Sequence, residues 1–544
     1  MKFIVKILLF SCLFSSLMRY DHNAVAQELK TPYEPLSLFD DRLIITGLFD
    51  HIAKVRMHTP KELRWSRKSA LNTFRTNFSL ETNFFMVRGS DFELNLIGHY
   101  YFSYEWMFDI DSEYDDAFPT YGANKFQHTH DEDTIREAYL QLIKGNWDLR
   151  IGKQQVIWGE QLGIRTLDVI CPLDIRTEVI GLTEWENIRI GLWMFRGIYD
   201  FGDSLPGQLS LETIFIPFDY EPTQIPREGS FFLAPFSRDG IPRNGYLTNL
   251  IDYRYYKDAH MNSINNAEWG VRIRGYYLDF DLDWSIVYFH TIDDGGVWAD
   301  GGEGGHRSAR WFGLYNNGLT DDYPEERIFD FRPYNIYGFS LQRYFGGLLD
   351  SIVRFELVYE SNKYYNKQDN DKTDKWGRVL KDVVEKDSVG YGISFSKKLP
   401  WPKGIPYISP YLEKWSRGKY IDFDIAFNQL HWIDYDRDFG EGNSQTGAGF
   451  RLNGQPHGRG DNPVTALSWM IMTHFKDDNI IPIMRGTYYL NSPSLQLGIS
   501  ASWRPGEHWS YTIATSLFFA KRQTDPFSGS EQRDDVTFKI SYMF

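Results

Sequence analysis

Charged side chains occupy every second position in several apolar segments of this chain. Arg272 and Arg274 form one such pair, and Arg354 and Glu356 form another. Charges arranged in a ring around a water-filled space select ions by their sign. Two interpretations stay open: the basic groups attract anionic solutes, or arginine and glutamate on neighbouring strands pair and fill the interior.

The spacing of the apolar residues indicates which elements carry these charges. Alternate side chains of a β-strand point to opposite faces. Between Asp91 and Asp111 the even positions are apolar or Gly98, whereas the odd positions include Glu93 and Glu105. This pattern predicts a strand of about twenty residues, of which about 9–11 would cross a bilayer and the rest would project outside.

The alternation recurs in pairs of segments, as expected for hairpins. Three such pairs are 268–277 with 278–288, 337–345 with 351–359, and 495–503 with 509–519. Short turns such as Gly346-Gly347 and Pro505-Gly506 join strands. We expect long polar connections at about 112–133, 220–266, 292–333, 362–387 and 420–463. Short turns at one end and long loops at the other are typical of transmembrane β-barrels.

The composition supports β-strands with one apolar face toward lipid and one polar face toward water. Aromatic residues make up 17% of the chain and charged residues 24%, and the mean hydropathy is −0.43. A helical membrane protein needs apolar runs of about 20 residues, which we do not find after the N-terminus. We therefore predict an all-β, transmembrane antiparallel barrel of about 16 strands, with 18 as the main alternative.

The two ends of the chain carry export and assembly signals. Lys2, Lys6 and an apolar stretch precede Ala24-Val25-Ala26, which predicts a signal peptide over 1–26, cleaved near Ala26, and a barrel over 27–544 in the bacterial outer membrane. The final strand alternates up to Tyr542 and Phe544, and this ending resembles the signal that the outer-membrane barrel-assembly machinery reads. The other expected partners are outer-membrane lipid and lipopolysaccharide.

Charge and cysteine content exclude other classes. The formal charge of −15 disfavours nucleic acid, because such binding depends largely on Lys and Arg. Cys12 leaves with the signal peptide, so Cys171 is the single cysteine of the mature chain and cannot form an internal disulfide. The oligomeric state stays open.

The segment 149–176 carries the most distinctive sequence motif of the chain. Gly152-Lys153-Gln154 is followed by Trp158-Gly159-Glu160 and then by Asp168-Val169-Ile170-Cys171-Pro172-Leu173-Asp174. This stretch resembles a proteobacterial family of uncharacterised outer-membrane barrels that is porin-like, similar in outline to alginate-export porins, and often encoded beside RND-type exporters. The resemblance implies a barrel and an exporter system as a partner. Cys171 departs from the pattern, which has Asn there.

The same segment is too long and too apolar for an ordinary turn. We hypothesise that 160–182 folds into the lumen as a constriction, held by charged residues that pair with the wall; the alternative is an outer loop packed on the rim. Arg or Lys facing lipid costs about 2–4 kcal/mol, so charged side chains on the strands should point inward. The candidate lumen and constriction residues are Arg150, Lys153, Arg165, Asp168, Asp174, Arg176, Arg189, Arg272, Arg274, Arg354 and Glu356.

The leading functional hypothesis is a porin-like channel that passes small or anionic solutes, with no catalytic residue, metal or cofactor. A non-conducting export-accessory barrel or a barrel enzyme is the alternative, although the G-x-S-x-G signature is missing. A carrier of hydrophobic solutes is a further alternative, and it would show an apolar lumen.

Overall fold

A computed structural model describes most of the barrel wall and part of the connections. The described residues are 36–58, 70–89, 91–110, 134–159, 161, 165–174, 186, 188–202, 207–221, 223, 264–294, 297–298, 329–330, 332–347, 350–373, 379–400, 420–435, 462–476, 478–491, 493–521, 527 and 533–544. The predicted signal peptide and most of the predicted loops 112–133, 220–266 and 292–333 lie outside these residues.

The described residues form 21 strands. They are β1 (Leu36–Leu38), β2 (Leu43–Arg56), β3 (Leu71–Arg88), β4 (Phe92–Glu105), β5 (Ile135–Lys144), β6 (Trp147–Gln154), β7 (Leu192–Asp200), β8 (Ser210–Ile216), β9 (Glu268–Tyr277), β10 (Leu282–Ile292), β11 (Val297–Trp298), β12 (Phe329–Asp330), β13 (Pro333–Phe345), β14 (Ser351–Thr373), β15 (Val379–Pro400), β16 (Tyr420–Trp432), β17 (Val464–Thr473), β18 (Ile480–Tyr489), β19 (Ser494–Trp503), β20 (Trp509–Ala520) and β21 (Asp535–Met543).

Eighteen of these strands, all except β1, β11 and β12, close into one antiparallel barrel. Each pairs with the next along the chain, and β21 returns to pair with β2. The backbone of Phe544 continues this seam, since its N–H donates to Gly47 O at 3.0 Å and its carbonyl accepts the Gly47 N–H at 2.8 Å. Closure leaves no open edge, whose unpaired groups would each cost several kcal/mol in hydrocarbon.

The predicted all-β transmembrane barrel is confirmed, with the higher of the two strand counts. One strand that the sequence analysis assigned to a loop is β16, in which apolar Ile421, Phe423 and Ile425 alternate with Asp422 and Asp424. The predicted loop 362–387 is also wrong, because β14 and β15 extend through most of it. The sequence there does not alternate between apolar and polar residues, so it gives no sign of a strand.

β4 is shorter than the predicted strand of about twenty residues. It ends at Glu105, and the short helix α1 (Met107–Ile110) follows. The Glu105 carboxylate accepts the backbone N–H groups of Phe74 at 2.8 Å and Met107 at 3.3 Å, so it fixes the point where the chain leaves the wall. Among the described residues, no helix is long and apolar enough to span a membrane.

The outer face of the wall is apolar and the inner face is mixed. In β4, Phe92, Leu96 and Phe102 are exposed on the outside, whereas Asn95 and Ser103 are buried on the inside. The C-terminal Phe544, the start of β2 and the short turns, such as Gly145-Asn146 and 278–281, lie at one end of the barrel, called here the short-turn end. The other end is called the loop end.

The exposure of residues on the outer face predicts how arginine substitutions there change the stability of the barrel. Ile286, midway along β10, is 53% exposed on the outer face, and Leu278 in the adjoining turn is 69% exposed. We expect Ile286→Arg to lower the free energy of unfolding in lipid vesicles by about 2–4 kcal/mol, and Leu278→Arg, nearer the interface, by about 0–1 kcal/mol. Denaturant titration measures both values. Equal losses at the two positions would contradict the assigned outer face.

Candidate functional site: the insert and the inner wall

The connection between β6 and β7, residues 155–191, is called the insert. Just before the insert begins, β6 approaches β5 closely at Gly152, which has a φ of +135° and where a Cβ atom would lie 2.2 Å from Ala138 O. No other residue fits this approach without displacing the neighbouring strand. Lys153 follows directly and is buried at the end of β6, in register with Ala138 and Trp193.

The insert contacts the inner face of a distant part of the wall. Leu167 N–H donates to Glu356 Oε2 at 3.0 Å, Gln161 Nε2 donates to Gly392 O at 3.2 Å, and Thr166 Oγ1 donates to Asn428 Oδ1 at 3.5 Å. Glu356, Gly392 and Asn428 are in register across β14, β15 and β16. These strands stand six to eight positions around the barrel from β6, so the described part of the insert reaches across the lumen.

An apolar core lies between the insert and the inner face of the wall from β7 to β14. The insert contributes Val156, Trp158, Leu167, Val169, Ile170 and Cys171, and the wall contributes Leu192, Met194, Ile214, Ile216, Val287, Phe289, Tyr334, Ile336 and Val358. All of these residues are between 0 and 4% exposed. Gly338 makes room for Leu167, since a Cβ there would lie 2.2 Å from Leu167 Cδ2.

This apolar inner wall corrects the expectation that lumen-facing residues are polar. In β7 the inward Leu192 and Met194 alternate with the outward Trp193 and Phe195, so the strand is apolar on both faces. A strand with two apolar faces is one that is covered on both sides. This continuous apolar stretch is the signal in the sequence that could have located the core.

A buried carboxylate holds the insert together from within. Asp168 Oδ2 accepts Arg165 Nε at 3.0 Å, Arg189 Nε at 3.0 Å and Arg189 Nη2 at 2.7 Å. Arg165 Nη2 also donates to Cys171 O at 2.7 Å. The ion pairs of Asp168 are therefore made with Arg165 of the segment 160–182 and with Arg189, which precedes β7.

The backbone of the insert pairs with itself near this carboxylate. Leu173 and Arg189 form an antiparallel bridge, and Asp174 N–H donates to Ile188 O at 2.6 Å. Leu173 N–H donates to Thr223 Oγ1 at 3.2 Å, which links the insert to the chain after β8. Asp174 is buried here, and Arg176 lies outside the described residues.

Cys171 is a structural part of this core. It is fully buried, and its Sγ accepts Val156 N–H at 3.3 Å. Burial raises the pKa of the thiol to about 12, so the thiol stays protonated at neutral pH. The family pattern has asparagine at this position. An asparagine amide needs more hydrogen-bond partners than a thiol does, so the apolar surroundings suit cysteine better.

The basic candidates on the strands form a separate group toward the short-turn end, and most are paired with carboxylates. Arg150 Nη2 lies 2.6 Å from Asp148, and Arg274 pairs with Asp283. Glu212 joins two strands, since it lies 2.7 Å from Arg196 Nε and 3.4 Å from Arg272 Nε. The sequence candidates included none of Asp148, Arg196, Glu212 or Asp283.

Arg354 stands apart from both groups, with Nε donating to Gln342 Oε1 at 2.7 Å and Nη1 donating to Ser396 Oγ at 2.7 Å. The structure thus brings Arg165, Asp168 and Arg189 together, with Glu356 anchoring the same insert. Within the described part of the chain, no group of three or more His, Cys, Asp or Glu side chains is placed to hold a metal ion.

A groove of about 550 Å³ lies between β4 and β8, but it opens mainly on the outer face. Its lining includes Leu149, Phe195 and Phe215 around Gly197, all on that apolar face. It is therefore a surface for lipid rather than part of the site inside the barrel.

The fold and the insert define a transmembrane β-barrel with a segment packed against its inner wall. The chain belongs to the family described as "protein of unknown function (DUF1302)", which matches residues 67–544. A comparison with curated proteins finds no match.

Two similar solved structures are OccAB4 of Acinetobacter baumannii and the outer membrane protein OpdK of Pseudomonas aeruginosa. OccAB4 has 10% identity and a TM-score of 0.45, with 92% of this chain and 98% of that chain covered. OpdK has 10% identity and a TM-score of 0.45, with 93% of this chain and 100% of that chain covered.

Asp168 gives a direct test of how the insert is held. Asp168→Asn keeps the shape but leaves two buried guanidinium groups without their carboxylate, and breaking a buried pair costs about 3–5 kcal/mol. We expect the insert to loosen and Cys171 to react with a thiol reagent that leaves it untouched in the unaltered protein.

The matched control is Asp283→Asn. Its partner Arg274 has a side chain that is 44% exposed, and exposed pairs contribute only about 0–1 kcal/mol, so Cys171 should stay protected. Labelling followed by mass spectrometry measures the rate. A reactive Cys171 in the unaltered protein, or an unchanged rate in Asp168→Asn, would refute the assigned role of Asp168.

Proposed function

We propose that this protein is an outer-membrane channel through which small polar solutes pass an insert that narrows the lumen. The observation that carries the proposal is the contact between the insert and the inner wall at Glu356, Gly392 and Asn428. A segment held across a closed barrel reduces its cross-section. Outer-membrane barrels of this size enclose a polar, water-filled interior.

The insert is suited to a permanent constriction. Its apolar core is buried, and Asp168 pairs with the two buried arginines Arg165 and Arg189, which supports a fixed conformation without a ligand. In a dry core, an unpaired charge or amide would be strongly destabilising. The proposal therefore includes no covalent step, cofactor or moving plug.

The charged residues of the inner wall favour the interpretation in which ion pairs stabilise the barrel over the one in which free charges select anions. Arg150, Arg272 and Arg274 each lie beside a carboxylate, as expected for the interpretation in which charges on neighbouring strands pair and fill the interior. The proposal accordingly names polar solutes in general, with anionic solutes as a subset.

The apolar inner wall does not favour the hydrophobic-carrier alternative. Its side chains, such as Ile214 and Phe289, are covered by the insert and are 0 to 2% exposed. A carrier of apolar solutes would need such side chains to face the path.

The expected partners follow from the two faces of the wall. Outer-membrane lipid and lipopolysaccharide would cover the apolar outside, where Tyr542 stacks with Phe544 at a ring separation of 6.3 Å. The assembly machinery would read this C-terminal strand before β2 pairs with it, because β21 and β2 form the closing seam. An exporter system stays a proposed partner on the resemblance alone.

Conductance of the purified protein in planar lipid bilayers tests the proposal. We expect discrete channel events for the unaltered protein and a larger, noisier unitary conductance for Glu356→Ala. That change leaves the buried Leu167 N–H without its acceptor, which costs about 1–3 kcal/mol and loosens the insert. Glu356→Gln is the matched control, because its amide oxygen still accepts the bond and the conductance should stay near the original.

Absence of channel events at every voltage would refute the channel. Hydrolysis of lipid by the same preparation would instead favour the barrel enzyme.

A further inference from the structure

The closing seam of the barrel, between β21 and β2, has a closely fitted contact on its outer face. Phe544 is paired with Gly47, since the backbone groups of the two residues exchange hydrogen bonds of 2.8 and 3.0 Å. The ring of Phe544 lies over Gly47, where a Cβ atom would come within 2.1 Å of the ring atom Cζ. A side chain at position 47 would therefore displace the ring. This contact between Phe544 and Gly47 is called the ring seat.

The ring seat connects three strands rather than two. Neighbouring strands lie about 4.8 Å apart, so the whole width of β2 separates β21 from β3. The ring of Phe544 nevertheless stacks with Phe78 of β3, at a centroid distance of 6.3 Å and an interplanar angle of 22°. It reaches Phe78 across β2 because Gly47 puts no side chain between the two rings.

Gly47 is the single glycine of β2, and the residues beside it on the outer face are large. Alternate residues of a strand share a face, so Ile45 and Phe49 flank Gly47 on the outside. A shift of β21 by two residues would place the ring of Phe544 opposite one of these two side chains. A shift by one residue would turn the ring into the lumen. Only the observed register gives the ring a place without a side chain.

Charged residues on the inner face of the seam favour the same register. Lys539 Nζ lies 2.8 Å from Asp50 Oδ2. Lys539 is paired with Ile52, so a shift of β21 by two residues toward the loop end would place it opposite Lys54 instead. Like charges directly opposite each other destabilise a pair of strands.

A shift in the other direction is blocked by β1. This strand pairs with the part of β2 that extends past β21, with Leu36 opposite Ile45. Ile45 is also paired with Thr82 of β3, so β1 occupies the other edge of β2, which is the edge that β21 uses. Phe544 cannot move opposite Ile45 unless β1 leaves.

We propose that the ring seat selects the register in which the barrel closes. β1 prevents a shift toward the short-turn end, and the repulsion between Lys539 and Lys54 opposes a shift toward the loop end. The stagger of the strands in a closed barrel is linked to their tilt and to the diameter of the barrel. The ring seat therefore also determines the width of the lumen, whatever passes through it.

Refolding of the purified full chain from urea into lipid vesicles tests the proposal without the assembly machinery. In a Cys171→Ser background, Leu48→Cys with Met543→Cys reports the observed register, in which these residues are paired. Ile52→Cys with Ser541→Cys reports a shift of two residues toward the loop end. Cysteines with Cα atoms more than about 7 Å apart cannot be bridged, so each pair is specific to its register. Mild oxidation and mass spectrometry measure both disulfides.

We expect Gly47→Val to raise the ratio of shifted to native disulfide about two- to fivefold, as the loss of a cross-strand aromatic contact would. Phe544→Ala, which removes the ring and leaves Gly47, should raise it by a similar factor. Combining the two changes should give no further rise, because valine suits a strand better than glycine once no ring lies over it. The matched control is Ala53→Val, which adds valine to the same face of β2 away from the ring and should leave the ratio unchanged.

An unchanged ratio in Gly47→Val would overturn the ring seat, and so would effects of Gly47→Val and Phe544→Ala that simply add in the double variant. Thr46→Cys with Met543→Cys reports the opposite shift, and a rise in that disulfide would overturn the role of β1. Folding of each variant is checked by its heat-dependent mobility in gels. If Gly47→Val does not fold, Gly47→Ala, which adds only the Cβ atom, takes its place.

Discussion

The interior of this barrel depends on the neutralisation of buried charge at Asp168. One carboxylate accepts hydrogen bonds from Arg165 and Arg189, at distances of 2.7 to 3.0 Å, inside a segment that is almost free of water. Two guanidinium groups could not enter this environment alone, because the desolvation penalty amounts to several kcal/mol per ion. The pairing lets a segment with polar residues fold into the lumen as a compact body.

The insert then lies against the inner face of the wall. Apolar side chains such as Leu192 and Phe289 pack the insert against the wall by excluding water, and Glu356 of β14 accepts the backbone N–H of Leu167.

Much of the barrel is predictable from the sequence because lipid on one face imposes a period of two. The hairpins around Gly346-Gly347 and Pro505-Gly506 follow from it, as does the final strand. The pattern is missing between residues 362 and 387, where β14 and β15 continue although their sequence does not alternate between apolar and polar residues. It also gives no register, so the pairing of Glu212 with two arginines could not be read from spacing. The contact of Leu167 with Glu356 joins residues far apart in the chain, and only the closed barrel brings them together.

The central claim is that the insert lies against the inner wall across the lumen, and a cross-link between Thr166 and Asn428 tests it most directly. Their side-chain oxygens are 3.5 Å apart, and both residues are buried. In a Cys171→Ser background, Thr166→Cys with Asn428→Cys should form an intrachain disulfide under mild oxidation of the folded barrel, detected by mass spectrometry of its peptides. Two free thiols that both react with an external reagent would contradict the account.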